Sequence, residues 1–160
     1  MEIRKSTPGD LEQMMELYAK ARVFMRENGN PNQWGDSHPA REMIEADIAA
    51  GKSYVCMEGG EIAATFYFAV EDDPTYRVIE QGAWLSDAPY GTIHAVASDG
   101  QIHGLLSQIV AYCEQTTKHL RIDTHHDNAI MQHVILKNGF TRCGIIHIAS
   151  GAERIAFEKV

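Results

Sequence analysis

The sequence has no long apolar run, no positive charge excess, no cysteine pairing pattern and no internal repeat, and each absence removes a class of function. No stretch is long enough to cross a bilayer, and the first residues, MEIRKSTPGD, lack the apolar segment of a secretory leader. The expectation is a chain that binds no membrane. Cys56, Cys113 and Cys143 are odd in number and far apart, with no CxxC pair, so neither a disulfide framework nor a zinc site is expected. All three lie in apolar stretches and read as buried free thiols. A reducing, cytoplasmic setting is the default that follows. The formal net charge is −8, which leaves no positive field for nucleic acid or anionic lipid. It does not exclude a local anion site, because backbone N–H groups can build one without any lysine.

What remains is an ordinary globular composition, 44% apolar and 22% charged, over 160 residues. Without linkers or low-complexity tracts, one domain over residues 1–160 is expected, large enough to bury a core without staples. Glu2–Ser6 reads as a strand. Thr7-Pro8-Gly9-Asp10 supplies a hydroxyl, a first-turn proline and an acid, the start of a helix that ends at Asn28-Gly29-Asn30-Pro31. A polar loop from Asn30 to Pro39 carries an exposed-looking Trp34. A second helix is expected over Pro39–Ala50, with Met43, Ile44 and Ile48 on one face and Gly51 ending it. Two strands, Ser53–Glu58 and Glu61–Val70, flank the hairpin signal Gly59-Gly60. Thr75–Ala88 is ambiguous, and Arg77–Glu80 fits strand or helix.

Beyond it, Gly91–Ala97 reads as a strand, Gly100–His119 as a helix and Leu120–Thr124 as a strand. Asp127 is the expected cap of a helix through Asn138, with Gly139 beyond its end, and a hairpin closes around Ser150-Gly151. This order gives an α+β fold: one mixed, largely antiparallel sheet, helices on both faces, and a βαβ unit at Gly91–Thr124.

That unit holds the most informative stretch. A strand runs into the polar turn Ser98-Asp99-Gly100-Gln101 and then into an amphipathic helix. The first N–H groups of a helix have no partner inside it, and the helix dipole adds partial positive charge there. Glycine lets a bulky anion approach the backbone. The combination suits a pyrophosphate, although strand–glycine–helix junctions also occur as plain tight turns.

Here the sequence resembles the GNAT superfamily of N-acyltransferases, whose cofactor motif is Arg/Gln-x-x-Gly-x-Gly/Ala after a strand. The chain has Gln101-x-x-Gly104-x-Leu106. Downstream lie Asn128 and then Lys137-Asn138-Gly139-Phe140, which resemble a second family feature. The resemblance implies acetyl-coenzyme A as cosubstrate and no metal. It places the pantetheine arm along Ala95 and Val96, in a wedge where the strand ending near Val96 parts from Leu120–Thr124. It places the pyrophosphate on the N–H groups of Gln101, Ile102, His103, Gly104, Leu105 and Leu106, with Asn128 on the cofactor arm. The Val96 N–H would polarise the thioester carbonyl while an amine attacks it directly. Three positions depart from the pattern. Leu106 stands where a small residue is preferred, Met131 where alanine is, and Ile135 where many members carry the tyrosine that protonates the leaving thiolate.

Other candidates follow. His94 lies two residues before Val96; strand alternation puts both on one face, where His94 is a candidate base or else a hydrogen-bonded structural histidine. In Arg121–Asn128 two adjacent histidines would point to opposite faces of a strand, so no metal site is expected. Asp123 or His125 is placed instead at the acceptor end, His125 being the candidate chosen, with Glu80 and Trp84 on weaker grounds. Trp34 either packs a substrate or folds down as a lid. The expected activity is transfer of acetyl to a primary amine of a small metabolite. The alternatives are a coenzyme A-binding sensor or inactive homologue, and a peptide or protein N-acetyltransferase. A homodimer is the base-rate expectation.

Overall fold

The computed structural model describes residues 1–160. Seven strands, β1 (Glu2–Lys5), β2 (Ser53–Glu58), β3 (Glu61–Val70), β4 (Gly91–Ser98), β5 (Leu120–Thr124), β6 (Thr141–His147) and β7 (Glu153–Lys159), form a sheet in the order β1-β2-β3-β4-β5-β7-β6. Four helices join them: α1 (Leu11–Glu27), α2 (Arg41–Ala49), α3 (Leu105–Cys113) and α4 (Ala129–Lys137). The fold is thus the expected α+β arrangement: β1 with β2, β2 with β3, and β7 with both β5 and β6 pair antiparallel, while β4 and β5 pair in parallel. No helix is long and apolar enough to cross a membrane. All three cysteines are buried and unpaired, and burial pushes the Cys56 thiol up to about 12.

The chain divides into two compact units, Met1–Phe68 with His94–Leu105, and Ala69–Ile93 with Leu106–Val160. In the first, Met14, Tyr18 and Ala21 of α1 pack with Ile44, Ile48, Val55 and Ala97. These residues recur at three or four on the helices, which is why each helix buries one stripe. Met43, expected on that stripe, is exposed; one position from Ile44 is about 100° around the helix, which carries it off the buried face. At the hairpin tip Gly59 and Gly60 both have positive φ, 59° and 83°, the conformation a two-residue turn requires.

The start of α1 is fastened to β1. Arg4 makes two bonds to the Asp10 carboxylate, at 2.8 and 3.0 Å, and Asp10 also accepts from the N–H and hydroxyl of Thr7. The Arg4 bonds, against the opposing effect of burial, hold Asp10 down at about 2. A depressed carboxyl adds stability above its unfolded value and loses it as pH falls through the folded one. Urea midpoints between pH 4 and pH 2 should therefore fall less steeply in Asp10→Asn than in the wild type.

In the second unit β7 lies between β5 and β6, antiparallel to both. One buried group joins Tyr76, Tyr90, Ile146 and Ala156, with Ile79, Trp84 and Ile148 packed on it. Residues 77–90 are neither the strand nor the helix that Arg77–Glu80 would allow. Only Glu80 takes a strand-like bond pair, exchanging N–H···O contacts of 2.9 and 2.8 Å with Ile145. Glycine is needed opposite: a Cβ on Gly144 would lie 2.5 Å from the Glu80 carbonyl oxygen.

Two helix starts differ from expectation. α3 begins at Leu105, not Gly100, because Gly100 and Gly104 sit at φ 86° and 63° and break the helical path. Asn128, not Asp127, caps α4: its side-chain oxygen accepts the N–H of Met131 at 3.0 Å. Gly139 is left-handed just beyond that helix, at φ 88°.

Candidate functional site

In the first unit the site residues cluster at the end of β4 and the turn after it. Ala95 lies within β4 at φ 51°, a left-handed conformation that an alanine rarely takes. A left-handed residue inside a strand interrupts the regular ladder, as a bulge does. It also breaks the strict alternation that would put His94 and Val96 on one face. The His94 ring lies 5.6 Å from the ring of Tyr67, tilted by 45°. His94, Ala95 and Val96 are all half-buried.

The turn is tied by its own side chains. The Ser98 hydroxyl accepts the N–H of Gly100 at 3.0 Å. Asp99 accepts the N–H of Gln101 at 2.9 Å and the Gln101 side-chain amide at 2.7 Å. A carboxylate therefore occupies the first N–H of the expected anion site, and the helix's own unpartnered N–H groups begin at Leu105. The backbone is otherwise approachable, since a Cβ built on Gly100 or Gly104 meets nothing within 4 Å. Gln101, His103 and Gly104 are exposed, Ile102 and Leu105 half-buried, and Leu106 is buried. An open, polar cavity of about 430 Å³ adjoins the turn, lined by Gln13, Glu16 and Lys20 of α1, Glu61 of the hairpin, Asp99 and Gln101. Nothing in the local pattern of α1 marks those residues as neighbours of the turn; only the fold does.

Trp34 is half-buried, not exposed. Its ring meets Tyr18 edge-on at 5.7 Å and packs on the core group of α1 and α2, the arrangement of a lid.

In the second unit Glu80 is exposed, its backbone committed to Ile145, and Trp84 donates its ring N–H to the Tyr76 carbonyl at 2.8 Å. Asn128 uses its oxygen as the α4 cap, and Ile135 is fully buried, so that position offers no donor. Tyr76 donates its hydroxyl to Asp123 at 2.7 Å. Arg154 is 6% exposed; burial lowers its guanidinium and Asp123 opposes the shift. Arg154 carries no motif and has no signal short of the strand register. His125 is buried and accepts the Asp127 N–H on Nδ1 at 3.0 Å. The two adjacent histidines do not diverge: β5 stops at Thr124, and the rings of His125 and His126 stack with centroids 4.3 Å apart. The alternation argument fails there because neither residue is in the strand.

No family model matches the sequence, and no curated protein matches it. Solved structures do. A GNAT-family acetyltransferase from Streptococcus agalactiae is 30% identical, with a TM-score of 0.89 over 99% of this chain and 94% of that one. A ribosomal-protein-alanine N-acetyltransferase from Brucella melitensis shares 15% identity at a TM-score of 0.64, over 100% and 99% of the two chains. AAC(6′)-Ib, solved in complex with paromomycin and acetyl-CoA, shares 17% at 0.62, over 99% and 92%.

Proposed function

The chain belongs to the GNAT family of acetyltransferases, and from that membership we propose that it moves an acetyl group from acetyl-coenzyme A to a primary amine of a small metabolite. The observation that carries the cofactor reading is the segment from Ala95 to Leu106: a left-handed residue inside a strand, then a glycine turn open to approach, then a helix start. In this reading the Val96 N–H, next to the left-handed Ala95, donates to the thioester carbonyl and steadies the oxyanion of the attack. The N–H groups from Ile102 to Leu106 hold the pyrophosphate, with Gly104 giving the close approach. Gln101 joins them only when Asp99 releases its N–H, so Asp99 competes with the incoming phosphate. Asn128, whose side-chain oxygen caps α4, is assigned to the cofactor arm. His94 takes the proton from the ammonium acceptor. Ile135 supplies no acid, and coenzyme A thiolate is a good enough leaving group to depart without one. Glu80 and His125 are assigned to the acceptor side, while Trp34, packed on the core of α1 and α2, serves as a lid.

The test is to incubate the protein with acetyl-coenzyme A and a panel of small amines and peptides, follow thiol release, and measure cofactor binding in parallel. Turnover on small amines is expected. Tight binding without turnover would sink transfer in favour of a sensor, and turnover on peptides alone would sink the metabolite acceptor. The phosphate turn has its own check. Gly104→Asn keeps the left-handed backbone, which asparagine tolerates, but adds a side chain where the phosphates approach. Cofactor affinity by calorimetry should fall about tenfold, on the order of one charge-assisted hydrogen bond, with the melting temperature little changed. Unaltered affinity would put the pyrophosphate elsewhere.

A further inference from the structure

Two imidazoles and a carboxylate converge just past β5. The nitrogen of His125, the nitrogen of His126 and a carboxylate oxygen of Asp127 all lie within 4.8 Å of one another. Asp127 oxygens stand 3.7 Å from His125 Nδ1 and 3.2 Å from His126 Nε2. Two donors bound to one tetrahedral ion at ~2.1 Å are separated by ~3.4 Å, so each imidazole stands about the required distance from one of the two Asp127 oxygens, Oδ2 for His125 and Oδ1 for His126. We propose that His125, His126 and Asp127 form a binding site for a divalent transition-metal ion of borderline softness, zinc being the type.

Three further observations support it. The segment is fixed before any ion arrives: the Asn128 N–H bonds the His125 carbonyl at 2.9 Å, Gln132 donates to the His126 carbonyl at 2.7 Å, and Asn128 caps α4. The His125 tautomer is also set, because accepting the Asp127 N–H requires a lone pair on Nδ1. The His126 side chain is 67% exposed and gives the ion an entry path. Two nitrogen donors favour zinc, nickel, copper or cobalt over magnesium and calcium, which prefer oxygen. Water or an exogenous ligand completes the shell. Two features limit affinity: the ion must displace the Asp127 N–H from Nδ1, and Arg154 contributes like charge.

The experiment is a titration of the full chain, free of any polyhistidine tag, with Co²⁺ followed by visible absorption, then displacement by Zn²⁺. One ion per chain with micromolar affinity and tetrahedral-type bands is expected. His126→Ala and Asp127→Asn should each weaken binding at least about tenfold, the loss typical even of an outer-shell partner. Asp127→Asn keeps the N–H that holds His125, and His126 is exposed, so both variants should fold. His147→Ala, at a separate exposed histidine, should leave binding unchanged. Equal binding by the wild type and His126→Ala, or no Co²⁺ uptake at millimolar concentration, would overturn the proposal.

Discussion

Replacing Glu158 with alanine should lower the free energy of unfolding by about 3–5 kcal/mol, the cost of leaving a buried charge without its partner. The Glu158 side chain has no exposed surface, and that of Arg121 is 6% exposed. One carboxylate oxygen meets Arg121 Nε at 2.6 Å and His119 Nε2 at 2.6 Å; the other accepts the Leu85 N–H at 2.5 Å. Arg121 is held between the rings of Trp84 and Tyr90, at 4.0 and 3.9 Å, and donates to the Ser86 carbonyl. Burial alone would raise the Glu158 carboxyl, but the bonds from His119, Arg121 and Leu85 outweigh it and hold it below its ordinary value. Removing the carboxylate strands the guanidinium in a dry site and leaves the Leu85 N–H unpaired. Urea denaturation should report the loss, and a double variant, Arg121→Met with Glu158→Leu, should recover part of it because neither charge is then buried. The exposed pair of Arg41 with Glu12 is the contrast: Glu12→Ala should leave the midpoint unchanged. A Glu158→Ala chain as stable as the wild type would mean that water reaches Arg121.

The second large effect is on rate. His94→Ala should lower turnover near neutral pH by about a hundredfold, the lower end of what a positioned general base supplies. Cofactor affinity should stay within about twofold, since the proposed phosphate and thioester contacts come from backbone N–H groups and not from the imidazole. The profile of rate against pH separates this role from a structural one. A base at His94 makes the wild-type rate fall as the imidazole is protonated, and the variant should lose that limb. If the variant keeps it, the role of His94 beside Tyr67 is structural.

Much of the fold is written locally. β2, β3 and β5 have the bounds that alternation, Gly59-Gly60 and the flanking polar residues imply, and Thr7-Pro8-Gly9-Asp10 marks the entry to α1. Each of those signals acts over a few residues, where composition and geometry are linked. Residues 77–90 are different. Their path depends on hydrogen bonds with Ile145, Arg121 and Glu158 that span 35 or more positions and leave no periodicity behind. The site divides the same way. Strand, glycine turn and helix are visible as a pattern, so the segment was legible. The left-handed turn of Ala95 was not, because alanine gives no sign of it, and neither was the cavity beside Asp99, which α1 walls from elsewhere in the chain. The stacked histidines were misplaced because strand alternation was carried onto two residues that lie beyond the end of β5.

The clamp on residues 77–90 bears on how this segment can vary. By shape it is a connector, without helix or ladder, and connectors are ordinarily the parts most freely exchanged between related chains. Here it is bound at Glu80 by the strand it faces, and at Leu85 and Ser86 by an ion pair rooted in β5 and β7. A graft of the segment alone would leave Arg121 and Glu158 facing a stranger. The transplantable module is the segment together with His119, Arg121, Gly144 and Glu158, residues scattered through the second half of the chain that behave as its anchors.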